Sequence, residues 1–535
     1  MTFTEPIEDF FRSMKDRLSE QQIFGFVSVL IAGLVAHGYI IFNRISYHDN
    51  SACLFNLGGT YESGRWMLGF IYDIQMKTTK LFSVPVFNGI LSVLFIAIAA
   101  MVLIEMFDVQ SKFLSAAIGA IMVVYPVVTS IFSFMFTSWE YQLALLLAIL
   151  SVKVLTEDSD RKFVFTLLIS VALCTVSLGI YQAYFSVTIA LFLIKLFFKL
   201  LDDDFVGVLD YVKTGLTYLL QLGISLVIWA ILRKVTMLVK GITAVDYKGM
   251  DEGYDISKFP QVFLGLFKAF FGFGQEGINA VLYQRAFTAL IFVITLVQIA
   301  YLISQYSGQI SMKLISLVGL IFLPIGMTVV YLLSTSSEYN VDSLMLYGDI
   351  FIYILPLLLI ERMEAAGGVS WYDAIPGKLM FVATWIQIVS ITVMTLGYVY
   401  MDNAAYLKAE LAQEQAVAYY NQLITAIKSC DGFSEDMEIV LVGWSEVEDG
   451  TFVNVDTVDQ LEAVKIDKFP RYTDLVRYSG SIHFMREHLG FGNDNVISDE
   501  DGNYAAMPEV QALPTYPNDG AIAVIDGRVI VKLGE

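Results

Sequence analysis

Residues 23–42 read IFGFVSVLIAGLVAHGYIIF, a run of 20 residues without Asp, Glu, Lys or Arg. A helix needs about 20 mostly apolar residues to cross the hydrocarbon core of a bilayer. The run therefore predicts a transmembrane helix. The preceding segment, 5–20, carries charges of both signs, whereas a cleavable signal peptide begins with a short basic region, so we expect this helix to be retained.

The composition of the whole chain agrees with the prediction of a transmembrane helix. Its 535 residues are 56% hydrophobic and only 16% charged, whereas soluble domains are about 25% charged. The net charge of −20 argues against binding to nucleic acid. Three cysteines are too few for a disulfide framework and lack the spacing of metal ligands. The sequence predicts an integral membrane protein.

Ten further apolar runs have the length of a membrane span or come close to it. With the first, they predict an α-helical polytopic protein of about eleven transmembrane helices, at residues 23–42, 84–105, 113–134, 141–155, 163–178, 181–200, 215–232, 280–303, 313–333, 344–360 and 379–400.

Basic residues between these runs predict the orientation. Cytoplasmic loops are enriched in Lys and Arg. With the N-terminus inside, the cytoplasmic segments contain Arg12, Lys15, Arg17, Lys112, Lys153, Arg161, Lys162, Lys195, Lys199, Lys213, Lys313, Arg362 and Lys378. The short external connections around Thr137, Gly179 and Ser336 contain no Lys or Arg. An odd number of spans then places the C-terminal part outside the cytoplasm.

That C-terminal part differs in charge from the rest. Residues 401–535 contain 24 acidic and 9 basic residues, a net charge of −15. A helix is predicted over 403–429, and strands over 438–443, 521–525 and 528–533, with Asp526-Gly527 as a hairpin turn. We therefore divide the chain into a transmembrane domain, 1–400, and a small acidic α/β extracytoplasmic domain, 401–535.

Two of the predicted external connections are long, 44–83 and 233–279. Each contains an aromatic stretch, at 66–72 and at 259–273. Aromatic rings lie well at headgroup depth, so these stretches predict re-entrant or surface-lying helices that wall a cavity. The alternative is that both are ordinary amphipathic spacers.

Ionisable residues directly after the first span are the first candidates for chemistry. Asp49 can accept a proton from an incoming hydroxyl, and Arg65 or Arg44 can hold a phosphate with two hydrogen bonds. His48 is predicted to orient Asp49 and not to bind a metal, because no metal spacing surrounds it. The alternative for Asp49 is a solvated loop carboxylate.

Further candidates come from two other predicted external connections. Glu140 lies in Thr137-Ser138-Trp139-Glu140-Tyr141, and its alternative role is to stabilise the start of a helix through the helix dipole. Tyr181 and Gln182 can bind sugar hydroxyls. Anchoring at the membrane interface is the alternative for Tyr181 but does not account for Gln182.

The remaining motifs give less information about function. Asp202-Asp203-Asp204 is predicted to be a solvated cytoplasmic run. The chain lacks the glycine-rich phosphate loop G-x-x-x-x-G-K-[ST], which argues against a soluble nucleotide as donor. We predict no metal site and no cofactor. Whether Cys53 and Cys430, on the same predicted side, form a disulfide stays open.

Several short motifs resemble a known family. They are Tyr47-His48-Asp49 with Gly64-Arg65-Trp66, then Gly179-Ile180-Tyr181-Gln182-Ala183-Tyr184, and near the C-terminus Tyr516-Pro517-Asn518-Asp519-Gly520 with Val529–Leu533. With these, the chain resembles the type II glucosyl transferases of serotype-converting phages and their bacterial relatives, which have the GT-C-like fold of polytopic membrane glycosyltransferases.

The resemblance implies a function. Enzymes of this kind take a sugar from a polyprenyl-phosphate-sugar donor and transfer it to a polysaccharide or lipid-linked glycan at the outer face of the bacterial cytoplasmic membrane. It also implies that Asp49 is the catalytic base, with Glu140 as a second carboxylate of the site. Arg65, and next Arg44, would neutralise the leaving phosphate, and His48, Tyr181 and Gln182 would complete the substrate site.

Two other functions stay open. A flippase or exporter of lipid-linked sugars would also need many spans and a large external domain. Against it, the chain shows no matching halves with paired broken helices. A polysaccharide polymerase would share the outward-facing site but use a lipid-linked oligosaccharide as donor. The sugar, the acceptor and the linkage are not determined by the sequence.

Overall fold

The computed structural model describes residues 3–45, 48–51, 53–157, 162–243, 256–273, 278, 281–306, 308–332, 341–365, 367, 375–443, 481–492 and 495–534. In chain order, the α-helices are α1 (Glu5–Arg17), α2 (Glu20–Phe42), α3 (Trp66–Thr78), α4 (Pro85–Met106), α5 (Lys112–Val124), α6 (Pro126–Phe132), α7 (Ser138–Thr156), α8 (Phe163–Ile180), α9 (Phe185–Leu201), α10 (Val208–Lys240), α11 (Phe259–Phe271), α12 (Leu282–Gln305), α13 (Ile310–Met327), α14 (Phe351–Ala365), α15 (Ile375–Lys428), α16 (Ser481–Leu489) and α17 (Pro508–Gln511). Short 3₁₀ turns include His48–Ser51, Gln182–Tyr184 and Tyr347–Ile350.

Most of the predicted spans are long apolar helices. Within the described residues, nine helices are long and apolar enough to cross a membrane, or ten if the bent pair α5 and α6 forms one span. The predicted span 344–360 is only partly helical, because α14 has 15 residues and follows 3₁₀ turns. The polytopic helical architecture is therefore confirmed, while the count of eleven stays a prediction.

The break between α5 and α6 has a local cause. Proline disfavours a helical conformation in the residue before it and lacks an N–H for the helix. Tyr125 precedes Pro126 and is extended, with φ −62° and ψ 130°. The two helices consequently meet at a bend of 40°.

One continuous helix joins the membrane part to the C-terminal part. α15 has 54 residues and includes the predicted span 379–400 and all but the last residue of the predicted helix 403–429. It packs on α2, where His37 Nδ1 lies 2.7 Å from Tyr406 Oη. It also packs on α12, where Gln298 Nε2 donates to Gln387 Oε1 at 2.6 Å. Because α15 crosses residue 400 without a break, these contacts fix where the chain leaves the bundle.

After α15 the chain forms a small mixed sheet. Its strands are β1 (Ile439–Val442), β2 (Val496–Ser498), β3 (Ile522–Ile525) and β4 (Arg528–Lys532), in the order β2-β1-β4-β3. β1 pairs in parallel with β2 and β4, and β3 and β4 form a hairpin. Asp526 and Gly527 have φ values of 48° and 74°, as the tight turn requires. The three-residue β2 was not predicted.

The two aromatic stretches in the long connections are helical. Residues 66–72 begin α3, which packs against α8. Phe259–Phe271 is α11, which packs against the 3₁₀ turn Val329–Leu332. Residues 244–255, 274–277, 279 and 280 of the second connection lie outside the described residues.

Candidate active site

Arg65 is held by two stacked tyrosines at one end of the helix bundle. Its Nη1 donates to Tyr141 Oη at 3.0 Å, and its guanidinium carbon lies 5.8 Å from the ring centroids of Tyr141 and Tyr181. The two rings are stacked, with centroids 4.1 Å apart. Tyr181 Oη in turn donates to the Leu344 carbonyl at 3.0 Å. Two predicted site residues, Arg65 and Tyr181, are thus in contact, although they lie in separate connections.

Two glycines allow this approach. Gly64 has φ 78°, and a Cβ there would lie 3.1 Å from Arg233 Cδ. A Cβ on Gly179 would lie 2.6 Å from the Trp66 ring. Replacing either glycine would therefore move the side chains that surround Arg65.

α10 reaches the same turn of the chain. Trp229 Nε1 donates to the Gly64 carbonyl at 3.2 Å, and Arg233 packs over Gly64 one helical turn further on. Arg233 was not predicted as a site residue. Its position at the end of an apolar run, at the start of a predicted external connection, was the only signal in the sequence.

Gln182 is close to Arg65 in the chain fold but binds the backbone. Its Nε2 donates to the Ser63 carbonyl at 3.1 Å, which ties the 3₁₀ turn after α8 to the segment before Arg65. The amide group therefore has a structural partner, and its predicted role in sugar binding stays a prediction.

Glu140 is completely enclosed. It lies in the first turn of α7, next to Tyr141, and has no solvent exposure. Its Oε1 accepts from Gln75 Nε2 at 3.4 Å, whereas its Oε2 has no hydrogen-bond partner within the described part of the chain. Glu140 thus directly precedes Tyr141, which contacts Arg65, in the first turn of α7.

The residues directly after α2 meet the C-terminal part of the chain. Asp49 is half-buried in the 3₁₀ turn His48–Ser51, which contacts α16. Arg44 Nη1 and Nη2 donate to the Glu487 carbonyl at 3.4 Å and 3.3 Å. Arg44, predicted as the second phosphate ligand, therefore joins this segment to α16. The side chain of His48 lies outside the described residues.

Cys53 lies in the same contact. Burial, and then the nearby Asp49 and Glu487 carboxylates, raise the pKa of the Cys53 thiol. Both Cys53 and Cys430 are free cysteines. The segment 48–53 is connected to the Arg65 side through Ser83 Oγ, which donates to Asn50 Oδ1 at 2.8 Å, and through Phe82, which stacks on Tyr72 of α3.

A row of buried tyrosine side chains, the tyrosine file, extends from Arg65 through neighbouring ring contacts. Successive ring centroids are 4.1 to 6.2 Å apart along Tyr141, Tyr181, Tyr184, Tyr347 and Tyr125, and Tyr353 and Tyr398 both lie within 6.0 Å of Tyr125. These rings come from helices far apart in sequence, so only the tertiary structure brings them together.

A carboxylate lies at the far end of this file. Asp349 lines a pocket with Tyr125, Thr288 and Tyr353, and its Oδ1 is shielded and has no hydrogen-bond partner among the described residues. Asp349 is not among the site residues predicted from the sequence. An acidic residue within an otherwise apolar run, Tyr347-Gly348-Asp349-Ile350-Phe351, was the available signal.

No cluster of three or more His, Cys, Asp or Glu side chains suited to a metal ion occurs in the described ranges. The described side chains around Arg65, Asp49 and Asp349 offer arginine, carboxylate and hydroxyl groups. Arginine binds phosphate, and carboxylates accept protons or hydrogen bonds from hydroxyls.

Comparison with known proteins identifies the family. The family model described as Glucosyl transferase GtrII matches residues 38–353. This range contains Asp49, Arg65, Glu140, Tyr181 and Asp349. No curated protein and no solved structure matches the chain. Because the family match covers more than half of the sequence, this polytopic membrane protein belongs to the GtrII glucosyl transferase family.

Proposed function

We propose that the protein transfers glucose from polyprenyl-phosphate glucose to a cell-envelope polysaccharide or a lipid-linked glycan. The transfer would take place at the outer face of the bacterial cytoplasmic membrane. The family supports glucosyl transfer, and the apolar helices support a lipid-linked donor within reach of the bilayer. The phosphate linkage of the donor supplies the leaving group of the proposed reaction.

The position of Arg65 is the observation that carries the proposal. A guanidinium matches two oxygens of a phosphate and stabilises the negative charge that develops as the bond to the sugar breaks. Arg65 sits at the end of the bundle, and Tyr141 and Tyr181 fix its orientation. Fixed donors stabilise a leaving group better than mobile ones, since they need no reorganisation during the reaction.

Asp49 is the proposed general base. It accepts the proton of the acceptor hydroxyl while the hydroxyl oxygen bonds to the anomeric carbon of glucose. The bond from that carbon to the phosphate oxygen breaks, polyprenyl phosphate leaves, and the configuration inverts. Asp49 is half-buried and can meet an acceptor from solution, whereas Glu140 is enclosed and is better placed to shape the site.

The orientation is part of the proposal. Lys and Arg residues in the short loops favour a cytoplasmic N-terminus and an acidic C-terminal domain outside. In that arrangement α16 and the sheet lie on the side of Asp49 and Arg65, where the acceptor glycan arrives.

Purified protein in detergent tests the proposal. Wild type is incubated with radiolabelled polyprenyl-phosphate glucose and host envelope glycan, beside Asp49→Asn and the control Glu62→Gln, which alters a carboxylate of the same connection. We expect glucose to move to glycan with wild type and the control. Asp49→Asn should be slower by about 10²- to 10⁴-fold while eluting as a folded protein.

Two outcomes would contradict the proposal. Unchanged transfer by folded Asp49→Asn would show that another residue is the general base, and Glu140→Gln would be tested next. Donor binding without any release of polyprenyl phosphate would favour the flippase or exporter, since detergent leaves a transporter no membrane to cross.

A further inference from the structure

The pocket around Asp349 is a second polar feature of the helix bundle, beside the one around Arg65. Its lining comes from α11 and the residues after it, α12, the 3₁₀ turn Tyr347–Ile350 and the residue before it, α14 and the Tyr125 bend. Its volume of about 20 Å³ has room for one water-sized group. A pocket of this size can take a hydroxyl or hydroxymethyl group but is too small for a whole sugar ring.

The chemistry of the pocket favours a hydrogen-bond donor as its occupant. Asp349 Oδ1 is shielded from solvent and receives no hydrogen bond from the described residues. A shielded carboxylate oxygen without a donor is costly, so such groups usually have a function or a bound partner. A substrate hydroxyl supplies the missing donor.

Hydroxyl groups of the protein line the pocket beside Asp349. Thr288 Oγ1 lies 2.7 Å from Tyr353 Oη, which in turn lies 2.6 Å from Tyr398 Oη. This hydroxyl chain holds Thr288 and Tyr353, which form part of the pocket wall. Small-molecule sites commonly combine a few placed polar groups of this kind with apolar and aromatic walls.

Aromatic rings supply those walls. Phe270 and Phe273, of α11 and the residues after it, line the pocket together with Tyr125. The flat apolar face of a sugar ring packs on aromatic side chains, while its hydroxyls reach polar groups. Phe270 and Tyr125 are buried, whereas Phe273 is half-exposed, so a pyranose on the Phe273 side can point one hydroxyl at Asp349.

The pocket is connected to the Arg65 site. Tyr125 lines the pocket and also belongs to the tyrosine file that ends at Tyr141 and Arg65. These rings are buried, so they join the two polar groups through the protein interior.

We propose that Asp349 and the pocket beside it bind one hydroxyl group of a pyranose substrate, and so select among sugars. The inference rests on the proposed sugar transfer but not on the choice of Asp49 as the base. The pyranose belongs to the donor or to the acceptor glycan, which share this chemistry and which the experiment distinguishes.

Binding of deoxy sugars tests the proposal. Affinities of wild type and Asp349→Asn are measured in a detergent without sugar headgroups, for polyprenyl-phosphate glucose, bare polyprenyl phosphate, and 2-, 3-, 4- and 6-deoxyglucose donors. A parallel series uses acceptor glycans lacking single hydroxyls. Asp342→Asn is the control, because Asp342 lies in the same connection but does not line the pocket.

We expect one deoxy position to weaken binding to wild type by about 10- to 100-fold, as a lost hydrogen bond to a charged group does. Asp349→Asn keeps an oxygen acceptor but loses the carboxylate, so the same deoxy change should weaken its binding several-fold less than it weakens binding to wild type, while bare polyprenyl phosphate binds both proteins equally. The series in which this occurs identifies the donor or the acceptor as the source.

Other results would overturn the inference. One is that removal of a hydroxyl weakens binding equally in wild type and Asp349→Asn. The other is that wild type binds every deoxy donor and deoxy glycan as tightly as the complete one. If Asp349→Asn does not fold, Thr288→Val replaces it, with a smaller loss of the same discrimination expected. Failure of transfer with these binding differences intact would contradict only the proposed function.

Discussion

Two arginines of the first long connection have different surroundings, although the sequence gives them similar roles. Arg65 contacts the stacked rings of Tyr141 and Tyr181, whereas Arg44 donates to the Glu487 carbonyl of α16. Nothing local distinguishes them, because both follow the first apolar run within a short distance. Their partners are 76 and 443 residues away in the chain, so tertiary contacts assign the roles.

Arg65→Ala should therefore weaken donor binding, whereas Arg44→Ala should lower the stability of the protein. We expect Arg65→Ala to raise the apparent KM for polyprenyl-phosphate glucose by about 10- to 100-fold, since a charged hydrogen-bond donor to phosphate is lost. Arg44→Ala should lower the thermal unfolding temperature and leave that KM within about twofold. Steady-state kinetics and thermal unfolding in detergent measure both, and a larger KM effect from Arg44→Ala would return the phosphate site to Arg44.

At the scale of elements, the contact between α3 and α8 places Arg65. α3 begins directly after Arg65 with Trp66, and the Trp66 ring fills the space that a side chain on Gly179 would occupy. The helical character of both segments is predictable from their composition. Their close approach is not, since a glycine in an apolar run has the same local signature whether it faces protein or lipid.

Gly179→Ala should displace Trp66 and with it the start of α3. The added Cβ would lie 2.6 Å from the ring, and overpacking of this kind costs about 1–3 kcal/mol. We expect a lower unfolding temperature and slower glucose transfer. Gly223→Ala in α10 is the matched control, because apart from its own helix backbone no described residue comes within 4 Å of the added Cβ, and its stability should be unchanged or slightly higher. Equal behaviour of the two variants would argue against the α3–α8 contact.

At the scale of the whole molecule, α15 joins the helix bundle to the acidic C-terminal part as one rod of 54 residues. α16 then contacts the turn that carries Asp49. A domain that leaves the bundle through a single helix and returns to the first long connection must lie on the same side of the membrane as Asp49. The proposed orientation consequently applies to both together.

Cysteine labelling tests this orientation. In a chain whose native cysteines are replaced by alanine, Glu509→Cys places a thiol at an exposed position after β2, and Asp204→Cys places one at an exposed position after α9. A membrane-impermeant thiol reagent should label Glu509→Cys in intact spheroplasts and Asp204→Cys only after permeabilisation. The reverse pattern would invert the proposed topology and contradict transfer at the outer face.

The sequence by itself determined the membrane class, the position of most spans, the acidic C-terminal part and its hairpin turn. These follow from composition, from run length and from turn chemistry, which are local properties. It also selected Arg65 and Tyr181, and the structure places them in contact. Only the tertiary structure places Tyr141 and Arg233 beside them. It also decides that Arg44 binds α16 and that Asp349 lines a pocket at the end of the tyrosine file. The physical reason is that membrane helices are apolar on every face, so hydrophobic periodicity does not mark which face meets another helix.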